Sequence, residues 1–196
     1  MKKQWWLQCW TTLGLILMLQ AQVLASSEEI TLQNFSLEAS EENPKVLVAN
    51  IQFNYQISDY MRESLLNGIA LRNEIKFDLV WHSEWWFNKN QKIAEVVTEL
   101  KYHALSRQYQ VVRKDTEENW NFSNLSAALD YIGKIKNFEL PELPEAAYQD
   151  NASIYVEAVL EPKASSMPLN LSALFSSKNR LVSQGVMWPI TPSISP

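Results

Sequence analysis

The sequence predicts a mainly β fold, a single antiparallel, sandwich-like domain of about seven strands with two short covering helices. Three features predict it. The stretch Gly68 to Phe87 (GIALRNEIKFDLVWHSEWWF) alternates with period two. Ile69, Leu71, Asn73, Ile75, Phe77, Leu79, Trp81, Ser83, Trp85 and Phe87 fall on one face, and Arg72, Glu74, Lys76, Asp78, His82 and Glu84 on the other. That is the signature of a long strand with one side on a core and the other in water. Similar alternation recurs at Leu47 to Ile57 and at Ala94 to Tyr102, while only two short stretches carry a helical stripe.

Taken in order, the chain opens with Lys2 and Lys3, an apolar run from Leu13 to Leu19 and a plausible cleavage point at Ala25, so residues 1–25 read as a signal peptide. Gln8, Gln20 and Gln22 interrupt the roughly 20 apolar residues that a membrane span needs. The alternative is an uncleaved leader tethering the protein to the inner membrane. Residues 26–196 then form one exported β-rich domain with a proline-containing C-terminal tail. Its expected location is the periplasm.

Ile30 to Leu37 slips phase midway, as a strand with a bulge does. With the strand at Leu47 to Ile57 it makes a hairpin. Ser58 caps a helix over about residues 59 to 67, closed by Gly68. The Gly68 to Phe87 strand turns at Asn88, Lys89 and Asn90, and the returning strand turns again near Leu105 to Arg107. Pairing Tyr102 with Tyr109 and Leu100 with Val111 keeps the apolar sets on one side. Residues 114–121 read as a polar loop. Ser123 or Asn124 starts a second helix, with Leu125, Ala128, Leu129 and Ile132 at i, i+3, i+4 and i+7. The run 137–151, with two prolines and four acids, reads as an exposed connector. Ile154 to Leu160 is a strand buried on most of both faces, and Leu169 to Trp188 adds one more.

Composition narrows the function. Cleavage removes Cys9, the one cysteine, and with it any disulfide, thiolate nucleophile or cysteine metal ligand. It also removes Lys2 and Lys3 from 17 basic residues and leaves all 22 acidic ones, taking the net charge from −5 to about −7. That argues against nucleic acid as a partner and against strong docking on anionic membrane surfaces. The three remaining glycines do not cluster into a phosphate-binding loop.

The order of four segments carries a resemblance: the aromatic-ended strand Leu79 to Phe87, LKYHALSRQYQV (Leu100 to Val111), FSNLSAALDYIGKI (Phe122 to Ile135) and MPLNLSALFSSKNRLVSQGVMW (Met167 to Trp188). Together they resemble the DUF4390 family of bacterial exported proteins over nearly all of residues 28 to 190. Residues Tyr102 to Tyr109 are the most specific part. The resemblance implies export, an uncharacterised function and a gene of the kind often encoded beside a membrane sensor histidine kinase of the nitrogen-regulation type. It brings no catalytic residues.

No catalytic, cofactor-binding or metal-binding residue is assigned. His82 and His103 are the two histidines, and a turn at residues 88 to 90 sets His82 opposite roughly Val96, about 17 Å or more from His103. Ser83 points away from His82, so no serine triad forms. Glu84, Asp78, Glu95 and Glu99 could face one another across the hairpin, which leaves a carboxylate-dependent hydrolase as one alternative. A carrier of an apolar small ligand, held behind Phe77, Trp81 and Trp85, is another. The favoured reading is a non-enzymatic binding or interaction module without a cofactor. Its partner would be a membrane sensor kinase or another envelope protein. Trp85 and Trp86 at one hairpin, with Arg107 and Tyr109 at a neighbouring one, form the candidate interaction surface.

Overall fold

The computed structural model describes residues 28–43, 45–81, 89–149, 152–163 and 180–190. The leader, Trp85 and Trp86 lie outside the described residues. Ten strands are present among those described: β1 (Glu29–Ala39), β2 (Leu47–Gln56), β3 (Leu71–Trp81), β4 (Lys89–His103), β5 (Gln108–Arg113), β6 (Asn119–Phe122), β7 (Lys134–Glu139), β8 (Ala152–Pro162), β9 (Leu181–Val182) and β10 (Val186–Pro189). Three helices join them: α1 (Asp59–Leu66), α2 (Leu125–Ile132) and α3 (Ala146–Gln149).

The strands form two antiparallel sheets, one ordered β1-β2-β7 and the other β10-β8-β3-β4-β5-β6, with β9 pairing β8 beside β10. The fold is thus mainly β and sandwich-like, as the alternation predicts. β3 is the spine of the larger sheet, paired with β4 on one side and β8 on the other along its whole length. Its Leu71, Asn73, Ile75, Phe77 and Leu79 are buried, while Arg72, Glu74, Lys76 and Asp78 are half-buried on the outer face. Phe77 stacks on Phe138 of β7 with centroids 5.4 Å apart, joining the two sheets. Phe35 of β1 meets Trp188 of β10 edge to face at 5.3 Å, and this contact closes one side of the sandwich.

The predicted bulge in β1 lies between Leu32 and Asn34. The pairs Tyr102↔Tyr109 and Leu100↔Val111 occur as the register argument requires. Ser58 and Asn124 cap α1 and α2, their side chains accepting from Met61 N and Ala127 N. In α2 the stripe Leu125, Ala128, Leu129, Ile132 is buried. This helix lies against β2, β5, β6 and β7, filling the opening where the smaller sheet ends. Gly133 follows it at a close approach of two backbones. A Cβ there would sit 2.2 Å from Phe53 O, and Phe53 N donates to Gly133 O at 2.8 Å.

Several expectations are corrected. Lys89 and Asn90 lie in β4, opposite Trp81 and Val80, and do not form the expected turn. Ile75, not His82, therefore stands opposite Val96. The polar loop at 114–121 ends in β6, whose Trp120 and Phe122 are half-buried. The run 137–151 is no exposed connector: Leu140, Leu143 and Ala147 are buried, and Leu140 N donates to Leu47 O at 2.8 Å. Its prolines and acids face water while those three apolar side chains complete the core.

A polar chain crosses this apolar interior. The Tyr55 hydroxyl donates to Asn73 Oδ1 at 2.6 Å, and Asn73 Nδ2 donates to Thr98 Oγ1 and to Ile132 O, both at 3.2 Å. It ties β2, β3, β4 and the end of α2 to one amide. Burial pushes the Tyr55 hydroxyl far above its ordinary pKa, a rise only partly offset by its bond to Asn73, so the group is a permanent donor.

Candidate functional site

The β4–β5 hairpin is built by its closing pairs. Tyr102 and Tyr109 stand opposite each other with ring centroids 4.9 Å apart, and His103 pairs with Gln108 next to the turn. His103 Nε2 lies 3.0 Å from Gln110 Oε1, so this imidazole is engaged with an amide on the outer face. Ala104 to Arg107 make the turn, and Arg107 takes φ 54°, a left-handed conformation that costs a non-glycine residue about 1 kcal/mol. Leu105 at the tip is fully exposed, and among the described residues Arg107 makes no ion pair. Burying a leucine side chain is worth about 2 kcal/mol. The tip therefore carries unused apolar surface beside a free guanidinium.

The tyrosine pair continues into a half-buried aromatic strip. Tyr109 stands opposite Phe122, and Tyr131 of α2 rests 5.2 Å from Phe122 and 4.7 Å from Trp120. Burial raises the pKa of the Tyr131 hydroxyl, the Glu118 charge adds to the rise, and Arg113 opposes it.

Of the four residues of the predicted surface, Arg107 and Tyr109 stand at the Ala104–Arg107 end of β4, and Trp85 and Trp86 lie outside the described residues. β4 runs 15 residues from Lys89 to His103, and at about 3.4 Å per residue its ends lie roughly 45 Å apart. At the first end Lys89 Nζ sits 5.1 Å above the Trp81 ring, a cation–π contact.

Of the predicted acids, Glu84 lies outside the described residues, and the other three do not stand opposite one another. Asp78 stands opposite Lys92, Glu95 opposite Lys76, and Glu99 opposite Arg72. Glu95 pairs with Lys92 at 2.6 Å. Glu99 is 3 % exposed and holds Lys163 at 2.5 Å, Lys114 at 3.1 Å and Lys101 at 3.6 Å. Burial raises its pKa, but the ammonium groups of Lys163 and Lys114 outweigh that and hold it below the usual carboxylate range. A carboxylate held ionised by lysines, as Glu99 is, is unsuited to the proton-donor role of glycoside cleavage. Sequence reasoning found Glu99 but missed its partners, because Lys114 and Lys163 lie far along the chain.

Phe77 is wholly buried against Phe138, so side chains fill the space behind it. A cleft of about 670 Å³ does open elsewhere, between α1 and α2, lined by Asn54, Gln56, Asp59, Arg62, Asn124 and Asp130 beside Tyr55, Ile57 and Leu125. Its size suits a small molecule, but its polar lining does not suit an apolar one. A smaller groove of about 250 Å³ lies below α2, where Arg113, Lys134 and Lys136 rim Val96, Thr98 and Ile135. No helix among the described residues is long and apolar enough to cross a membrane.

No curated protein and no solved structure matches this chain. The family model of the domain of unknown function DUF4390 matches residues 27–189, which take in every strand and helix given above, and the chain belongs to that family.

Proposed function

We propose that this protein is an exported, non-enzymatic interaction module that presents its β4–β5 hairpin to a protein of the cell envelope. A membrane sensor kinase is the first candidate partner. The observation that carries the reading is Leu105, fully exposed at the hairpin tip, with Arg107, which makes no ion pair among the described residues, two residues away. An apolar anchor beside a free arginine, backed by tyrosines, has the composition of an interface centre. Arg107 also occupies a backbone conformation that glycine would adopt with less strain, so the turn retains a side chain at some expense. Trp85 and Trp86 would serve as a further contact.

Photo-crosslinking in living cells tests this, with the reactive residue placed at position 105, at position 86 and, as a control on the outer sheet face, at position 76. A discrete adduct from position 105 that is missing from position 76 supports the hairpin. An adduct from position 86 alone moves the contact off the hairpin. Capture from neither, in a folded and exported protein, refutes the proposal.

A further inference from the structure

The outer face of the larger sheet holds an unequal charge cluster. Glu99 projects from β4 on that face, and Lys101, two residues on, shares it. Lys114 arrives from the turn after β5, its backbone N–H bonded to Val97 O at 2.9 Å. Lys163 arrives from the end of β8, its N–H bonded to Ala70 O at 2.8 Å. Lys163 takes one carboxylate oxygen while Lys114 and Lys101 share the other, so the latter two ammonium groups stand within about 7 Å of each other. Arg72 joins from β3, directly opposite Glu99, with one guanidinium nitrogen on Glu74 and a buried Nε without a partner.

Three lysines on one buried carboxylate leave two positive charges unbalanced. Solvated surface lysines spread apart; these converge, because Glu99 draws them together from three segments and backbone bonds fix two of their roots. The side chains of Lys101, Lys114 and Lys163 are still 43 %, 43 % and 32 % exposed, so an approaching anion reaches them from the solvent side. In a chain with a net charge of −5 such a surplus stands out.

We propose that Lys101, Lys114 and Lys163, gathered by Glu99 and flanked by Arg72, form a binding site for a phosphomonoester. A dianionic phosphate neutralises the two surplus charges and offers three acceptor oxygens to three ammonium donors. Lysine supplies mobile point charges suited to a tetrahedral oxyanion, in contrast to the planar fork that arginine offers. The ligand can be free in solution or the headgroup of a lipid.

Calorimetric titration of the purified chain with inorganic phosphate at low ionic strength, beside co-sedimentation with vesicles of phosphatidylcholine with and without phosphatidic acid, tests the site. The expected result is binding in at least one arm, weakened by added salt. It should fall roughly tenfold for each lysine replaced by glutamine at positions 114 and 163. Binding of inorganic phosphate supports a free ligand, and binding confined to phosphatidic acid vesicles supports a lipid headgroup. The variant Glu99→Gln, which no longer gathers the three ammonium groups, should also bind more weakly than the parent while its circular dichroism spectrum stays that of the folded chain. Binding in neither arm, binding unchanged in the lysine variants, or binding strengthened by Glu99→Gln overturns the proposal. None of these readouts depends on the hairpin partner.

Discussion

Removing the Asn73 side chain should damage this protein more than its size suggests. Asn73 is 1 % exposed and makes three hydrogen bonds, to the Tyr55 hydroxyl, Thr98 Oγ1 and Ile132 O. Each is worth about 1 kcal/mol net, and a buried group left unpaired costs about 1–3 kcal/mol more. Asn73→Ala strands the Tyr55 hydroxyl and the Ile132 carbonyl, so a loss of about 3–5 kcal/mol is expected. Tyr55→Phe deletes a single bond and orphans Asn73 Oδ1, for about 1–2 kcal/mol. Tyr55→Phe combined with Asn73→Ala removes donor and acceptor together. It should therefore cost less than the two single changes summed, with a coupling of about 1–2 kcal/mol. Urea unfolding followed by tryptophan fluorescence, with an unchanged m-value, measures all four corners. A cost below about 1 kcal/mol for Asn73→Ala, or additivity within about 0.5 kcal/mol, would refute the view that this amide organises the interior.

Other consequences can be checked on the same instrument. Gly133→Ala forces a Cβ to 2.2 Å from Phe53 O, where backbone and not a flexible side chain must yield, so a loss of about 2–3 kcal/mol is expected. Asn124→Ala removes the bond to Ala127 N at 2.8 Å that caps α2, at about 1 kcal/mol. The Glu99 carboxyl titrates below its ordinary value in the folded protein, so its contribution is complete above the unfolded value and is lost as pH falls through the folded one. Acid titration of stability should show this loss below roughly pH 4.3, and Glu99→Gln should flatten that limb while lowering stability at neutral pH.

What the sequence made legible follows from periodicity. β2, β3 and the β4–β5 hairpin alternate cleanly because one face meets a core and the other meets water. The register Tyr102↔Tyr109 followed from keeping apolar residues on one side. β7 escaped notice because Asn137, at φ 48°, breaks a six-residue strand, leaving Ile135 and Phe138 out of phase. Leu140, Leu143 and Ala147 were hidden by the acids and prolines around them.

The pairing of β3 also orders events in time. Trp81 must find Ala152 and Leu71 must find Pro162, so the centre of the larger sheet closes only after most of the chain has been made. Such distant pairing is slow, on the order of milliseconds to seconds. Until residues 181–189 arrive, the far edge of β8 stands open, with Ile154, Val156 and Ala158 awaiting the strands that cover it. A chain halted after Lys163 thus exposes a long apolar edge strand, the template on which chains join one another. β9 and β10, only six residues together, act as the cover that ends this vulnerable interval.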